Sequence, residues 1–440
     1  MLISSPAQAR LSLSILAGAV VYALSVIICG NWAGGVYLAA VPAYAVHTVL
    51  TSPGGWRRLL SWRLWAVLAG VALAAGAYLA AVAGTSTRLD VRWAEVGYAV
   101  YFLAALYILL RWLDRLVWLG LGKALAKVSR GAGWAGRAGV ALRLAVLVAV
   151  GGPLVASALM THWVRFAETS DPRQLTGADY APAAFLAADG TEIRGWHMPC
   201  PDPASDASVI LAPGRNMGKS TMVPVATRLN LAGYSVLIID LRGEGASGGH
   251  SRGLGATESQ DVIGAVNYLR WAHPRQSRHI FAMGILQGAT AVLAAAAGDA
   301  RIEAIVADSP LPGPQDELKE VAGALPGPLG DYFRQATLSL ASFQAGYDLS
   351  SKSASRCIGQ IGPRPVLLIY GQDDALVQRE AIGQMLAQAR PSMLWRAPQA
   401  GHGEALLRHG DEYCDIMRKL FASVECHLPP FEWAQTASPS

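Results

Sequence analysis

His279-Ile280-Phe281-Ala282-Met283-Gly284-Ile285-Leu286-Gln287-Gly288 leads directly into an alanine-rich stretch, Ala289 to Ala297. An apolar run, two glycines four positions apart and a helix-forming segment predict a strand, a tight turn and a helix. This is the setting of the elbow G-x-S-x-G, where a strained turn lifts a serine hydroxyl above the end of a sheet. Both glycines are kept, and position 286 is leucine. Leucine has no lone pair and no ionisable proton, so no acyl-enzyme can form there.

Working outward, strands and helices alternate. Ala183–Ala187 and Glu192–Met198 flank Asp189-Gly190, a hairpin signal. Ser208–Ala212, Ser235–Asp240, Arg278–Met283, Ile302–Ala307, Pro365–Tyr370 and Met393–Arg396 read as strands. Helices are predicted over Lys219–Leu231 and Thr257–Trp271. Runs such as Val236-Leu237-Ile238-Ile239 are continuously apolar, as strands covered on both faces should be. The alternation predicts a mostly parallel sheet with helices on both faces, and a binding crevice at the carboxyl ends of its strands. Between Ser309 and Ser351 the alternation gives way to helical pieces separated by Pro-Gly turns, an insertion that reads either as a helical lid over the crevice or as a purely structural excursion.

Five motifs in this half occur in a shared order: "LAPGRNMGKS", "IDLRGEGASGG" (Ile239 to Gly249), "MGILQGA", "YGQDDALV" and "AGHGEAL". Together they resemble the α/β-hydrolase family, most nearly its serine aminopeptidase-like and prolyl-peptidase-like bacterial members. The resemblance covers about 180–425. It implies an acid at Asp374 and a base at His402, in the order nucleophile position, acid, base. Asp373 is adjacent, and Asp308 is a third carboxylate at a strand end. The oxyanion hole would use the backbone N–H of Gln287 and one from the loop after 208–212. There Arg215 is the expected donor, because Pro213 has no N–H. Thr290, Ser309, Ser220 and Thr221 are the hydroxyls nearest in sequence, and none has the elbow's presentation. Thr290 is expected to point away from the elbow tip. Gly214 to Ser220 resembles a phosphate-binding loop with one residue too few between its glycines. The resemblance implies no cofactor and no metal.

The first 170 residues differ in kind. They hold fourteen Lys/Arg against four acids, a net +10 that leaves −5 for the remainder. Five apolar stretches, 11–29, 34–50, 64–83, 94–110 and 138–160, each approach the roughly 20 residues that cross a bilayer as a helix. Tryptophans such as Trp32, Trp56, Trp62 and Trp112 lie near their ends. Arg10 and the loops 51–63 and 111–143 hold eleven positive residues, and the opposite loops two, Arg88 and Arg92. The positive-inside rule then places the N-terminus in the cytoplasm of a bacterial cell and the second half outside. The expected organisation is a membrane domain over 1–165, a hydrolase domain over 175–427 with its lid over 309–351, and a tail over 428–440. No basic cluster interleaved with aromatics marks the second half, which excludes a nucleic-acid surface. Few ionisable residues fall within the apolar stretches, His47 among them, which argues against a transport pathway. Cys200, Cys357, Cys414 and Cys426 match no zinc spacing, and free thiols are the default reading.

The expected function is that of a membrane-anchored pseudo-hydrolase, binding or sensing an ester, amide or lipid-like small molecule or a peptide. The alternative is an active hydrolase of ester or amide bonds, with water activated by His402 and Asp374.

Overall fold

The computed structural model describes residues 145, 147–162, 170–202, 204–249, 251–389 and 391–427. The first four apolar stretches, the start of the fifth and the tail lie outside the described residues. They divide into two compact units. One holds those before Val164 with Pro328–Gly346, and the other spans Arg165–Gly327 and Tyr347 onward.

The larger unit is built on an eight-stranded sheet: β1 (Ala181–Leu186), β2 (Glu192–Met198), β3 (Ala207–Ala212), β4 (Ser235–Ile239), β5 (His279–Ile285), β6 (Ile302–Asp308), β7 (Val366–Gly371) and β8 (Ser392–Ala397). Their order across the sheet is β1-β2-β4-β3-β5-β6-β7-β8. The β1–β2 and β2–β4 pairs are antiparallel and every other pair is parallel. Strands β3, β4 and β7 are buried at every position, the consequence of two covered faces.

Helices number, in chain order, α1 (Gly152–Thr161), α2 (Pro172–Thr176), α3 (Val223–Leu231), α4 (Ser259–Ala272), α5 (Gln287–Gly298), α6 (Lys319–Gly323), α7 (Gly327–Ala345), α8 (Ala354–Ile358), α9 (Arg379–Gln388), α10 (Ala405–Arg408) and α11 (Gly410–Glu425). Side chains of α4, α5, α8 and α9 join one core cluster, and those of α3 and α11 join a second that includes the opposite-facing residues of the strands. The helix expected from Lys219 begins as a 3-10 turn, Lys219–Met222, and becomes α-helical at Val223. Pro224 at its first turn favours a start there.

The insertion expected as one lid is divided. Its flanks stay with the sheet, and Pro328–Gly346 groups with the N-terminal residues. There α7 packs on α1 through small and polar residues. The Thr161 hydroxyl donates to Gln344 Oε1 at 2.8 Å, Gln344 Nε2 donates to Ser157 Oγ at 3.0 Å, and the Tyr332 hydroxyl donates to the Ala149 carbonyl at 2.9 Å. Of the fifth apolar stretch, a π turn over Leu147–Gly151 and the ten residues of α1 are described. Among the described residues, no helix is long and apolar enough to cross a membrane.

Candidate active site

Strand register brings the relevant loops to one edge. Gly284 of β5 lies opposite Ala212 of β3 and Ala307 of β6, so the elbow, the loop after β3 and the Asp308-Ser309 junction all leave the carboxyl side together. Leu286 caps α5 at φ 54° and ψ −115°, a left-hand-side conformation strained for a branched side chain. The glycines around it answer to packing. A Cβ on Gly284 would stand 2.2 Å from the Gly288 carbonyl oxygen, and one on Gly288 2.2 Å from that of Ala212. Leucine thus occupies the strained position with the whole elbow retained. Its methyl groups lie against two loops: a Cβ on Gly214 would be 3.2 Å from Leu286 Cδ1, and one on Gly403 2.9 Å from Cδ2. The side chain bridges the loop after β3 and the loop bearing His402.

His402 and Asp374, 28 residues apart, meet with Nδ1 and Oδ2 at 2.8 Å. The other Asp374 oxygen accepts the N–H groups of Leu376 at 2.9 Å and Val377 at 3.2 Å. Burial pushes the Asp374 carboxyl up, but the hydrogen bond and charge of His402 and the two backbone donors outweigh it. The group stays below the usual carboxylate range. Asp373 is exposed, and its N–H ties the acid loop to the Ala400 carbonyl at 2.9 Å. With Nδ1 committed to Asp374, Nε2 is the ring nitrogen left to His402, which lines the cavity.

Among the described residues neither the Arg215 nor the Gln287 backbone N–H has an acceptor. Both flank Leu286 and both residues line the cavity. Their supports were not legible in the sequence. Gln287 Nε2 donates to Glu258 Oε1 at 2.7 Å, and that buried carboxylate also accepts the N–H groups of Gly253 at 2.7 Å and Gly255 at 2.8 Å. Asn216, at φ 59°, donates its N–H to Glu244 at 3.0 Å, and Arg252 grips Glu244 at 3.1 Å and Asn216 Oδ1 at 2.8 Å. Two charged residues inside a glycine-rich segment were the available signal.

The "IDLRGEGASGG" motif proves to be scaffold. Asp240 holds Lys219 Nζ at 2.6 Å and the Ala246 N–H at 2.9 Å, and Arg242 joins Asp189 and Asp261. Lys219 also lies over the Trp196 ring, 4.4 Å from its centre. The lysine of the phosphate-loop lookalike is therefore spent on buried structure.

Thr290, expected to face away, contributes to the cavity wall. Ser220 and Thr221 lie in the 3-10 turn, outside that wall. Asp308 makes no hydrogen bond to His402. Its carboxylate accepts the hydroxyls of Ser309 at 2.9 Å and Tyr413 at 3.1 Å. Burial pushes it up to about 6, against those hydroxyls and the nearby imidazole. The cavity, about 320 Å³, is walled by Leu286, His402 and Gln287 on one side and by Leu311, Asp316 and Glu317 from the segment after β6 on the other. That volume suits a small molecule. Arg215 reaches across to Glu317 at 2.8 Å. Cys200, Cys357, Cys414 and Cys426 are free, the first three buried.

A doubly covered, mostly parallel sheet, an elbow at its carboxyl edge and an acid–histidine pair beside it are features of the α/β-hydrolase fold. Residues 203–361 match the family model described as serine aminopeptidase, S33. YfhR of Escherichia coli, an uncharacterised protein, is 27% identical over 241 residues, covering 53% of this chain and 77% of YfhR. A polyketide transferase of Penicillium is 32% identical over 130 residues, 29% of this chain and 44% of that protein. Among solved structures, an esterase of Pyrococcus furiosus superposes with a TM-score of 0.50 at 25% identity, over 60% of this chain and 98% of its own. The domain built on the eight-stranded sheet has a fold consistent with the α/β-hydrolases and is similar to that family over part of its length.

Proposed function

We propose that this α/β-hydrolase domain binds a small ester- or amide-bearing molecule without covalent serine catalysis. The carrying observation is Leu286. It fills the nucleophile's position and bridges Gly214 and Gly403, while the His402–Asp374 pair and two free backbone N–H groups stand around it. An ester-like ligand is favoured by the size of the cavity and by likeness to an esterase. In this reading the N–H groups of Arg215 and Gln287 receive the ligand's carbonyl oxygen, and the Leu286 methyls pack where a hydroxyl would attack. The five apolar stretches and their charge bias support attachment of the domain to a membrane through residues 1–165, facing outward.

The intact pair favours one second reading, in which His402 Nε2 takes a proton from water and that water attacks the carbonyl directly. Hydrolysis of short-chain aryl esters and aminoacyl arylamides separates the two. The unaltered protein should give no turnover above a His402→Ala control, and Leu286→Ser should raise the rate at least ~10³-fold, within the ~10⁶ an elbow nucleophile can contribute. Turnover by the unaltered protein that His402→Ala abolishes would establish water activation instead.

A further inference from the structure

Ser309 follows β6, has no solvent exposure and sits at φ 51°, a conformation a non-glycine residue adopts only under constraint. The constraint is visible around it. The Ser309 N–H donates to the Ile369 carbonyl of β7 at 2.8 Å, on the strand that leads to Asp374. The carbonyl of its neighbour Asp308 accepts the Leu286 N–H at 2.8 Å, on the elbow. The Ser309 hydroxyl accepts the N–H of Gly403, the residue directly after His402, at 3.0 Å and donates to Asp308 Oδ1 at 2.9 Å. Asp308 is in turn fixed by the Tyr413 hydroxyl at 3.1 Å. One dipeptide thus touches the backbone of the elbow, of the strand that leads to the acid loop, and of the histidine loop.

We propose that Ser309 is a positioning residue for His402, its hydroxyl clamping the histidine loop through the Gly403 N–H and setting the imidazole between Asp374 and the tip of the elbow. The inference rests on reading the His402–Asp374 pair as part of the proposed binding site. The strained backbone and the contact to Gly403 occur together at this residue, and a hydroxyl that only filled the core would call for neither. Serine is small enough to be held there and is the least bulky residue that supplies the oxygen.

Ser309→Gly tests this, because glycine relieves the backbone while removing the hydroxyl. Two measurements on the full chain decide it. In the otherwise native protein labelled with ¹⁵N-histidine, the downfield resonance of the His402 Nδ1 proton held by Asp374 should broaden or vanish, with the melting temperature unchanged or raised. In the Leu286→Ser background, kcat on an aryl ester should fall about tenfold while KM stays within about twofold, as loss of orientation predicts. Ser309→Ala should lower kcat similarly. An unchanged resonance, or kcat and melting temperature falling together in the glycine variant, would overturn the proposal. The resonance is read with Leu286 in place, so silence of the Leu286→Ser enzyme would count against the binding-site reading and leave this test standing.

Discussion

On the proposed reading a single side chain, Leu286, withholds serine catalysis from this domain, with His402, Asp374 and two backbone N–H groups arranged around it. Leu286 holds the elbow's strained backbone although the reason for that strain, presentation of a hydroxyl, is gone. Such strain costs on the order of 1–3 kcal/mol and persists only where surroundings impose it. The surroundings here are Gly284 and Gly288, which admit no side chain. Asp308 carries a further consequence. It has risen from the usual 3.8 to about 6, so between those values the folded chain holds a proton that the unfolded chain has released. Stability must therefore fall as pH rises through that window and stay lower above it. Asp308→Asn, which cannot titrate and keeps one of the two oxygens that accept from Ser309 and Tyr413, should flatten that part of the curve. The comparison is of urea midpoints at pH 4 and pH 7, and equal slopes in both proteins would refute the assignment.

At the scale of elements, legibility followed the chemistry of burial. Strands β3 to β7 were plain because burial on both faces makes the sequence continuously apolar. The elbow, the His402–Asp374 pairing and the candidate N–H donors at Arg215 and Gln287 were legible because motifs fix their order along the chain. The supports were not. Ser309 reaches Gly403 across 94 residues and Arg252 reaches Asn216 across 36, and no local pattern records a contact of that kind. Nor does periodicity reveal that α7, in the middle of an insertion, packs with α1. The close approach of α5 to β3 gives a test. Gly288→Ala should destabilise by about 2–3 kcal/mol, because the Ala212 carbonyl oxygen lies 2.2 Å from the new methyl and backbone must move. Gly298→Ala, at the other end of the same helix with nothing within 4 Å, should be neutral or stabilise by about 0.5–1 kcal/mol. Denaturant unfolding checks both, and equal effects would mean that packing at the elbow is not what retains the glycine.

At the scale of the whole molecule, we propose a hydrolase-like scaffold whose ligand-binding groups stand without a nucleophile at position 286. The cavity, the acid–histidine pair and the unoccupied N–H donors belong to one unit, and position 286 beside them carries no oxygen. The most direct measurement of that claim is intact-mass analysis of the full chain after exposure to a serine-reactive alkyl fluorophosphonate. The protein with Leu286 should remain unmodified, Leu286→Ser should gain one adduct located at that residue, and Leu286→Ser with His402→Ala should react at only a small fraction of that rate. An adduct on the unaltered chain that requires His402 would contradict the account and reveal a nucleophile elsewhere in the cavity.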